Sequence, residues 1–305
     1  MTSMFSILAA ALLGVTAVRA NPSLSARQSI TALTTSQIDY FTPYTWYAST
    51  AYCTPNQILA WNCGANCEAN PDFKPVASGG DGNSVQYWYV GYDPSLDTVI
   101  IAHQGTNPEE FEADLTDADF FLTNLDSTLF PGISSDIEVH NGFADDQAST
   151  ATEVLAAVQQ IMSKYGTTSV TMVGHSLGEY YRNCAAISLL DSVYLPLWLP
   201  AGTTFKTITY GLPRVGNQAF ANYVDANLHL SHINNEEDPI PICPGMFLGF
   251  VHPSGEVHIE DSGEWASCAG QDNPSTQCAV GDVPYIWDGN LNNHDGPYNG
   301  VTMGC

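Results

Sequence analysis

Residues 170–178 read Val170-Thr171-Met172-Val173-Gly174-His175-Ser176-Leu177-Gly178, and no other stretch constrains the fold as strongly. Val170 to Val173 is a short apolar run that predicts a buried strand. It leads directly into a G-x-S-x-G pentapeptide. The flanking glycines have no Cβ, so the chain turns sharply and neighbours approach closely. A strand, a tight turn and a helix in that order lift the Ser176 hydroxyl out of a sheet. The start of the helix presents free backbone N–H groups to negative charge developing there, which makes the Leu177 N–H an oxyanion donor. The pentapeptide alone recurs by chance in unrelated chains, and the strand in front of it selects the elbow over a plain turn.

The neighbouring segments alternate between strand and helix. Val85 to Val90 reads as a strand ending at Gly91, and Thr98 to Ala102 as a buried strand running into Gly105. Ser36 to Ala51 has helical spacing through Ile38, Phe41, Tyr44 and Tyr47. Thr150 to Tyr165 places Val154, Leu155, Val158, Ile161 and Met162 on one helical face, and Gly166 stops it. Phe205 to Tyr210 and His229 to Ile233 read as further strands. This alternation predicts an α/β fold with a mostly parallel central sheet and helices on both faces. Reactive residues in such folds gather beyond the carboxyl ends of the strands.

A serine hydroxyl is a weak nucleophile at neutral pH and needs a base, which in turn needs an orienting acid. On this fold the chain order is serine, acid, histidine, which removes every acid and histidine before Ser176. Asp238 stands in a turn-like segment before Pro239, with Glu236 and Glu237 beside it as alternatives. His252, His258 and His294 follow. The first two lie in Phe247 to Ile259, read as strand and turn, and are taken as packed or surface residues. His294 lies in a polar loop near the end of the chain.

Met4 to Val18 is an apolar run followed by small residues around Arg19, so residues 1–20 read as a signal peptide cleaved after Ala20. The run is short for a membrane span. Residues 21–43 are read as a short pro-segment and the start of an N-terminal helix, and residues 44–305 as one domain. The formal net charge of −25 disfavours nucleic acid and anionic membranes and fits a neutral substrate in an acidic external medium. Eight cysteines in a secreted chain imply disulfides. Cys63 and Cys67 suit a local loop, Cys268 and Cys278 bracket a polar loop, and Cys53 and Cys305 would tie the ends, although spacing alone allows many pairings. A zinc site at Cys63 and Cys67 has no second ligand pair nearby. No metal, organic cofactor or stable membrane insertion is expected, and the oligomeric state is not readable.

Several motifs in order carry a resemblance: His103-Gln104-Gly105-Thr106, Val139-His140-Asn141-Gly142-Phe143, Val173 to Gly178, Tyr210 to Asn217, Asp238-Pro239-Ile240-Pro241, and the tail from His294. Together they resemble the fungal secreted class 3 lipases, the Rhizomucor-type family that also holds feruloyl esterases, from about Tyr44 to the C-terminus. The resemblance implies an α/β-hydrolase fold and a serine carboxylic ester hydrolase acting on acylglycerols through an acyl-enzyme. It implies Ser176, Asp238 and His294 as the triad, Thr106 as second oxyanion donor beside Leu177, and Asp117 as support for Thr106. It also matches the pairs Cys53–Cys305, Cys63–Cys67 and Cys268–Cys278. Asn107 to about Leu115 falls where the family carries a mobile lid. Phe111 and Leu115 give it a narrow apolar face, which predicts neutral esters as substrates, with modest activation at an oil–water interface. A feruloyl or aryl esterase is the alternative within the class.

One segment departs from the family. Small residues should follow Gly178, yet Glu179-Tyr180-Tyr181-Arg182-Asn183-Cys184 stand before Ala185-Ala186-Ile187. Six extra residues would rotate a continuous helix by about 240°, displacing Leu189, Leu190 and Val193 unless the extra residues bulge out. Glu179 would bring charge near the oxyanion site, and Tyr180 and Tyr181 would crowd it. Either the segment is retained intron sequence, or it is genuine and the protein is a catalytically impaired, lipid-binding relative. The form lacking residues 179–184 is expected to be the more active.

Overall fold

The computed structural model describes residues 29–105, 121–176 and 184–305. Every residue of the strand Thr98–His103 is buried, and successive side chains leave a strand on opposite faces. Val99 and Ile101 enter one apolar cluster, while Ile100 and Ala102 enter another. A strand apolar on both faces needs cover on both, as parallel sheets do. The first cluster packs the helices Asn141–Tyr165 and Cys184–Trp198 on one side. The second packs Thr42–Thr50 and Pro55–Ala60 on the other.

The resulting sheet has nine strands. From edge to edge they are Ile30–Ala32, Trp265–Cys268, Glu256–Ile259, Leu230–Asn235, Thr204–Tyr210, Ser169–His175, Thr98–His103, Trp88–Asp93 and Lys74–Gly79. Neighbours from Glu256–Ile259 to Thr98–His103 are parallel, and the outer pairs are antiparallel. This is an α/β-hydrolase sheet, with Ser169–His175 inside its parallel part, next to the central strand Thr204–Tyr210. A four-stranded sheet built from Leu122–Asn124, Glu138–His140, Gly216–Asn217 and Phe250–Val251 lies apart from it. Among the described residues no helix is long and apolar enough to cross a membrane.

Three local expectations shift. The strand expected at Val85 to Val90 is Trp88–Asp93. The Asp81 carboxylate accepts the backbone N–H groups of Asn83 and Val85 and holds that stretch as a loop. The strand passes through Gly91, where a Cβ would stand 2.2 Å from the Phe73 ring, so this glycine marks a close approach and not an end. The helix expected over Ser36 to Ala51 is two helices, Thr35–Asp39 and Thr42–Thr50, the second with Pro at its first turn. The long helix begins at Asn141, before Thr150, and ends as expected at Gly166, whose φ is 74°.

The fold buries seven histidines, among them His140, His175, His232, His252 and His258. Burial lowers His140 and His258 to about 4 and His252 to about 3, and holds His175 and His232 well below the ordinary range. The unfolded chain takes up these protons below about pH 6.5, whereas the folded chain does not until far lower pH. Stability therefore falls as pH drops through that window. Three carboxyls oppose this in part: burial raises Glu256 to about 7 and Asp282 to about 6 and lifts Asp295 too, so each gains its proton in the folded state first. Five lowered histidines outweigh three raised carboxyls, so the midpoint of thermal unfolding should fall by about 10 °C or more between pH 6.5 and pH 4. Calorimetry across that range checks this, and a midpoint that rises on acidification would contradict it.

Candidate active site

Ser176 follows the strand Ser169–His175 with φ of 68°, a left-handed conformation that costs a non-glycine residue energy and marks a turn held by its surroundings. Its N–H donates to the Tyr210 carbonyl at 2.9 Å. A Cβ on Gly105 would lie 2.7 Å from the Ser176 Cβ, so the chain leading to Thr106 runs directly against this serine.

Asp238 lies just past the strand Leu230–Asn235 and is buried. Its Oδ1 accepts the Ile240 N–H at 2.9 Å and its Oδ2 accepts from His294 Nδ1 at 2.8 Å. His294 follows the short turn Leu291–Asn293 and is also buried. Its Nε2 hydrogen-bonds the Ser176 Oγ. The carboxylate can only accept, so it fixes the proton on Nδ1 and leaves Nε2 free to accept from the serine hydroxyl. Gly211 makes this pair possible: with φ of 54°, a Cβ there would stand 2.6 Å from His294 Cε1 and 3.1 Å from Asp238 Oδ2.

A further network holds the His294 backbone. The His294 carbonyl accepts from His175 Nε2 at 2.9 Å and from the Tyr298 hydroxyl at 2.8 Å. A carbonyl demands a donor, so His175 carries its proton on Nε2, and its Nδ1 accepts from the Tyr52 hydroxyl at 2.5 Å. Burial and the neighbouring His294 keep His175 neutral. The Asn235 side chain donates to the Asn293 carbonyl at 2.9 Å, tying the acid and histidine loops together. Sequence reasoning did not single out Tyr52, His175 or Tyr298. The available signals were local: Tyr52 precedes a bridged cysteine, His175 precedes the serine, and Tyr298 stands four residues after His294.

Beneath the elbow, His103 Nε2 donates to Asp191 Oδ2 at 2.9 Å and Gln147 donates to Asp191 Oδ1 at 3.0 Å. This buried set joins the strand before Gly105 to both flanking helices. His252 and His258 are packed residues away from the serine; His252 Nε2 donates to the Leu212 carbonyl at 2.8 Å. The structure contains the disulfides Cys53–Cys305, Cys63–Cys67 and Cys268–Cys278, and Cys243 is free and buried. Glu256, Cys268 and Cys278 lie close enough to surround a metal, but both of those sulfurs are bonded to each other. Thr106, Phe111, Leu115, Asp117 and Leu177 lie outside the described residues, as do residues 1–28 and 179–183.

The two sides of residues 177–183 meet. The Ala185 N–H donates to the Ser176 carbonyl at 3.2 Å, and Leu189, Leu190 and Val193 are buried in the core. The apolar face of the helix Cys184–Trp198 therefore lies in the core.

The family model for class 3 lipases matches residues 100–248. A secreted mono- and diacylglycerol lipase of Malassezia globosa is 33% identical over 230 residues, covering 74% of this chain and 71% of that protein. The chain belongs to the class 3 lipase family. Among solved structures, this class 3 lipase is similar to the Rhizomucor miehei triacylglyceride lipase, with a TM-score of 0.73 and 26% identity over 90% of this chain and 98% of that one. It is equally similar to a triacylglycerol lipase whose catalytic centre is formed by a serine protease triad, with a TM-score of 0.73, 25% identity and coverage of 90% and 98%. As a class 3 lipase with such relatives, the protein is a secreted carboxylic ester hydrolase.

Proposed function

We propose that this class 3 lipase hydrolyses acylglycerols with Ser176 as nucleophile, His294 as general base and acid, and Asp238 as the orienting acid. The observation that carries the reading is the His294 imidazole bridging the Ser176 hydroxyl and the Asp238 carboxylate. Ser176 Oγ attacks the ester carbonyl carbon while its proton passes to His294 Nε2. The oxyanion collapses, the bond to the glycerol oxygen breaks, and that oxygen takes the proton from Nε2. Water then repeats the sequence on the acyl-enzyme, releasing the fatty acid and restoring the Ser176 hydroxyl. Asp238 keeps its charge throughout and stabilises the imidazolium.

The backbone N–H groups of Leu177 and Thr106 are the proposed oxyanion donors, with Asp117 supporting Thr106. The close packing of Gly105 on Ser176 supports that placement. Phe111 and Leu115 are proposed as the apolar side of a lid. Residues 1–20 act as the signal peptide and residues 44–305 form the catalytic domain. The relatives named as acylglycerol lipases favour glycerides over feruloyl esters.

Covalent capture tests the mechanism. A fluorophosphonate should label Ser176 stoichiometrically in folded protein, and olive-oil emulsion should be hydrolysed at least about tenfold faster than methyl ferulate. Folded protein that takes no label would remove the enzyme reading, and faster release of ferulate would replace glycerides with feruloyl esters.

A further inference from the structure

Ten large hydrophobic side chains are prominently exposed among the described residues, and six of them fall in two tripeptides. Phe247 is 90% exposed and Trp287 76%, with Met246, Leu248, Tyr285 and Ile286 beside them. Scattered exposed apolar residues are ordinary, but a contiguous cluster marks a contact surface. Here both tripeptides rim one hollow of about 490 Å³, floored by residues such as Ile242, Pro244 and Val283.

The cluster is ordered in advance. Each tripeptide sits in a closed turn, with Leu248 N–H donating to the Gly245 carbonyl and Asp288 N–H to the Tyr285 carbonyl, both at 2.9 Å. The Tyr285 and Trp287 rings stack at 4.9 Å with 6° between their planes. The Phe247 ring lies over Gly245, where a Cβ would come within 2.3 Å of it. Rings held this way lose little freedom when a partner covers them.

Both turns belong to the loops that carry the acid and the histidine. One begins at Asp238 and the other runs into His294. Asn290 N–H donates to the Glu237 carbonyl at 2.7 Å, and a Cβ on Gly289 would be 2.7 Å from Pro239. Below the hollow, the Arg214 guanidinium pairs with Asp272 at 2.7 Å and donates to the Ile242 and Pro244 carbonyls. Residues 239–248 and 283–291 contain no lysine or arginine; Glu236, Glu237 and Asp282 flank them and Asp288 lies within the second. An apolar surface ringed by acids on a chain of net charge −25 repels an anionic partner and accepts an uncharged one.

We propose that Phe247, Trp287 and the apolar residues beside them form a fixed docking surface for uncharged or zwitterionic lipid, which seats the ester-bearing interface beside the triad loops. This deepens the acylglycerol reading and rests on it for its purpose. The surface stands on segments remote in sequence from residues 107–115.

The test uses the secreted chain and a Phe247→Ser/Trp287→Ser variant. Both side chains are exposed, so the fold should persist, as unchanged thermal unfolding would verify. Wild-type protein should co-sediment with phosphatidylcholine vesicles, and the variant's partition should fall about tenfold or more, as expected when two large rings leave the interface. Turnover of soluble p-nitrophenyl butyrate should be alike in both, while tributyrin emulsion should be hydrolysed much more slowly by the variant. Vesicles rich in phosphatidylglycerol should hold the wild type less well at low salt. Equal sedimentation of the two proteins, no sedimentation of the wild type, or preference for the anionic vesicles would overturn the proposal. So would a wild-type dimer, seen by sedimentation velocity and lost in the variant, because the surface would then serve a second copy. If soluble ester is not cleaved while vesicle binding behaves as expected, the catalytic reading fails and the docking surface stands.

Discussion

Replacing Asp238 with asparagine is expected to lower kcat on a soluble ester about 10,000-fold with little change in fold. The reason lies in which atoms face the side chain. Oδ1 accepts the Ile240 N–H at 2.9 Å and Oδ2 faces His294 Nδ1 at 2.8 Å. An asparagine must keep its carbonyl oxygen on the Ile240 donor, which turns its NH₂ towards Nδ1. Nδ1 then becomes the acceptor and the imidazole proton moves to Nε2. A protonated Nε2 cannot take the proton of Ser176, and no carboxylate remains to balance an imidazolium. Esterase kinetics, the rate of phosphonate labelling and thermal unfolding measured together would check this. A loss below tenfold in a folded variant would remove Asp238 from the role proposed for it.

Deleting residues 179–184 is expected to raise kcat about 100-fold, the scale of one oxyanion donor restored. After deletion Ala185 would stand three residues beyond Ser176, and in the present chain its N–H already reaches the Ser176 carbonyl at 3.2 Å. That is the contact of a first helical turn. Leu189 and Leu190 are already buried in the core, so the shortened chain needs no repacking of this helix. The deletion removes the charge of Glu179 and the bulk of Tyr180 and Tyr181 from the sequence that directly follows the Gly-His-Ser-Leu-Gly motif. Closing a shorter loop changes stability only slightly, since its entropy varies slowly with length. The assay compares full-length and shortened proteins on soluble ester, with active-site titration by a phosphonate to correct for folded fraction. Equal rates per labelled site would show that the segment leaves the site undisturbed.

Much of the architecture was legible because its signals are short-range. A buried strand followed by Gly-His-Ser-Leu-Gly predicts an elbow from backbone sterics alone. Thr98–His103 and Thr204–Tyr210 are apolar enough to be recognised as strands wherever they pair. Local signals mislead where one residue has two meanings. Gly91 looked like a strand end and proved to be room for the Phe73 ring. Val85 looked like a strand residue, but the Asp81 side chain claims its backbone N–H.

The amino-acid sequence by itself determined the elbow, the strand–helix alternation and the short set of residues from which an acid and a base can be drawn, because steric rules and chain order act locally. Tertiary structure alone decided that His294, 118 residues after Ser176, meets it, that His175 and Tyr298 hold the His294 backbone, and that Met246 to Leu248 and Tyr285 to Trp287 share one hollow. Those arrangements depend on how far-separated segments pack, and the contacts that fix them bring together residues with no relation in the linear chain.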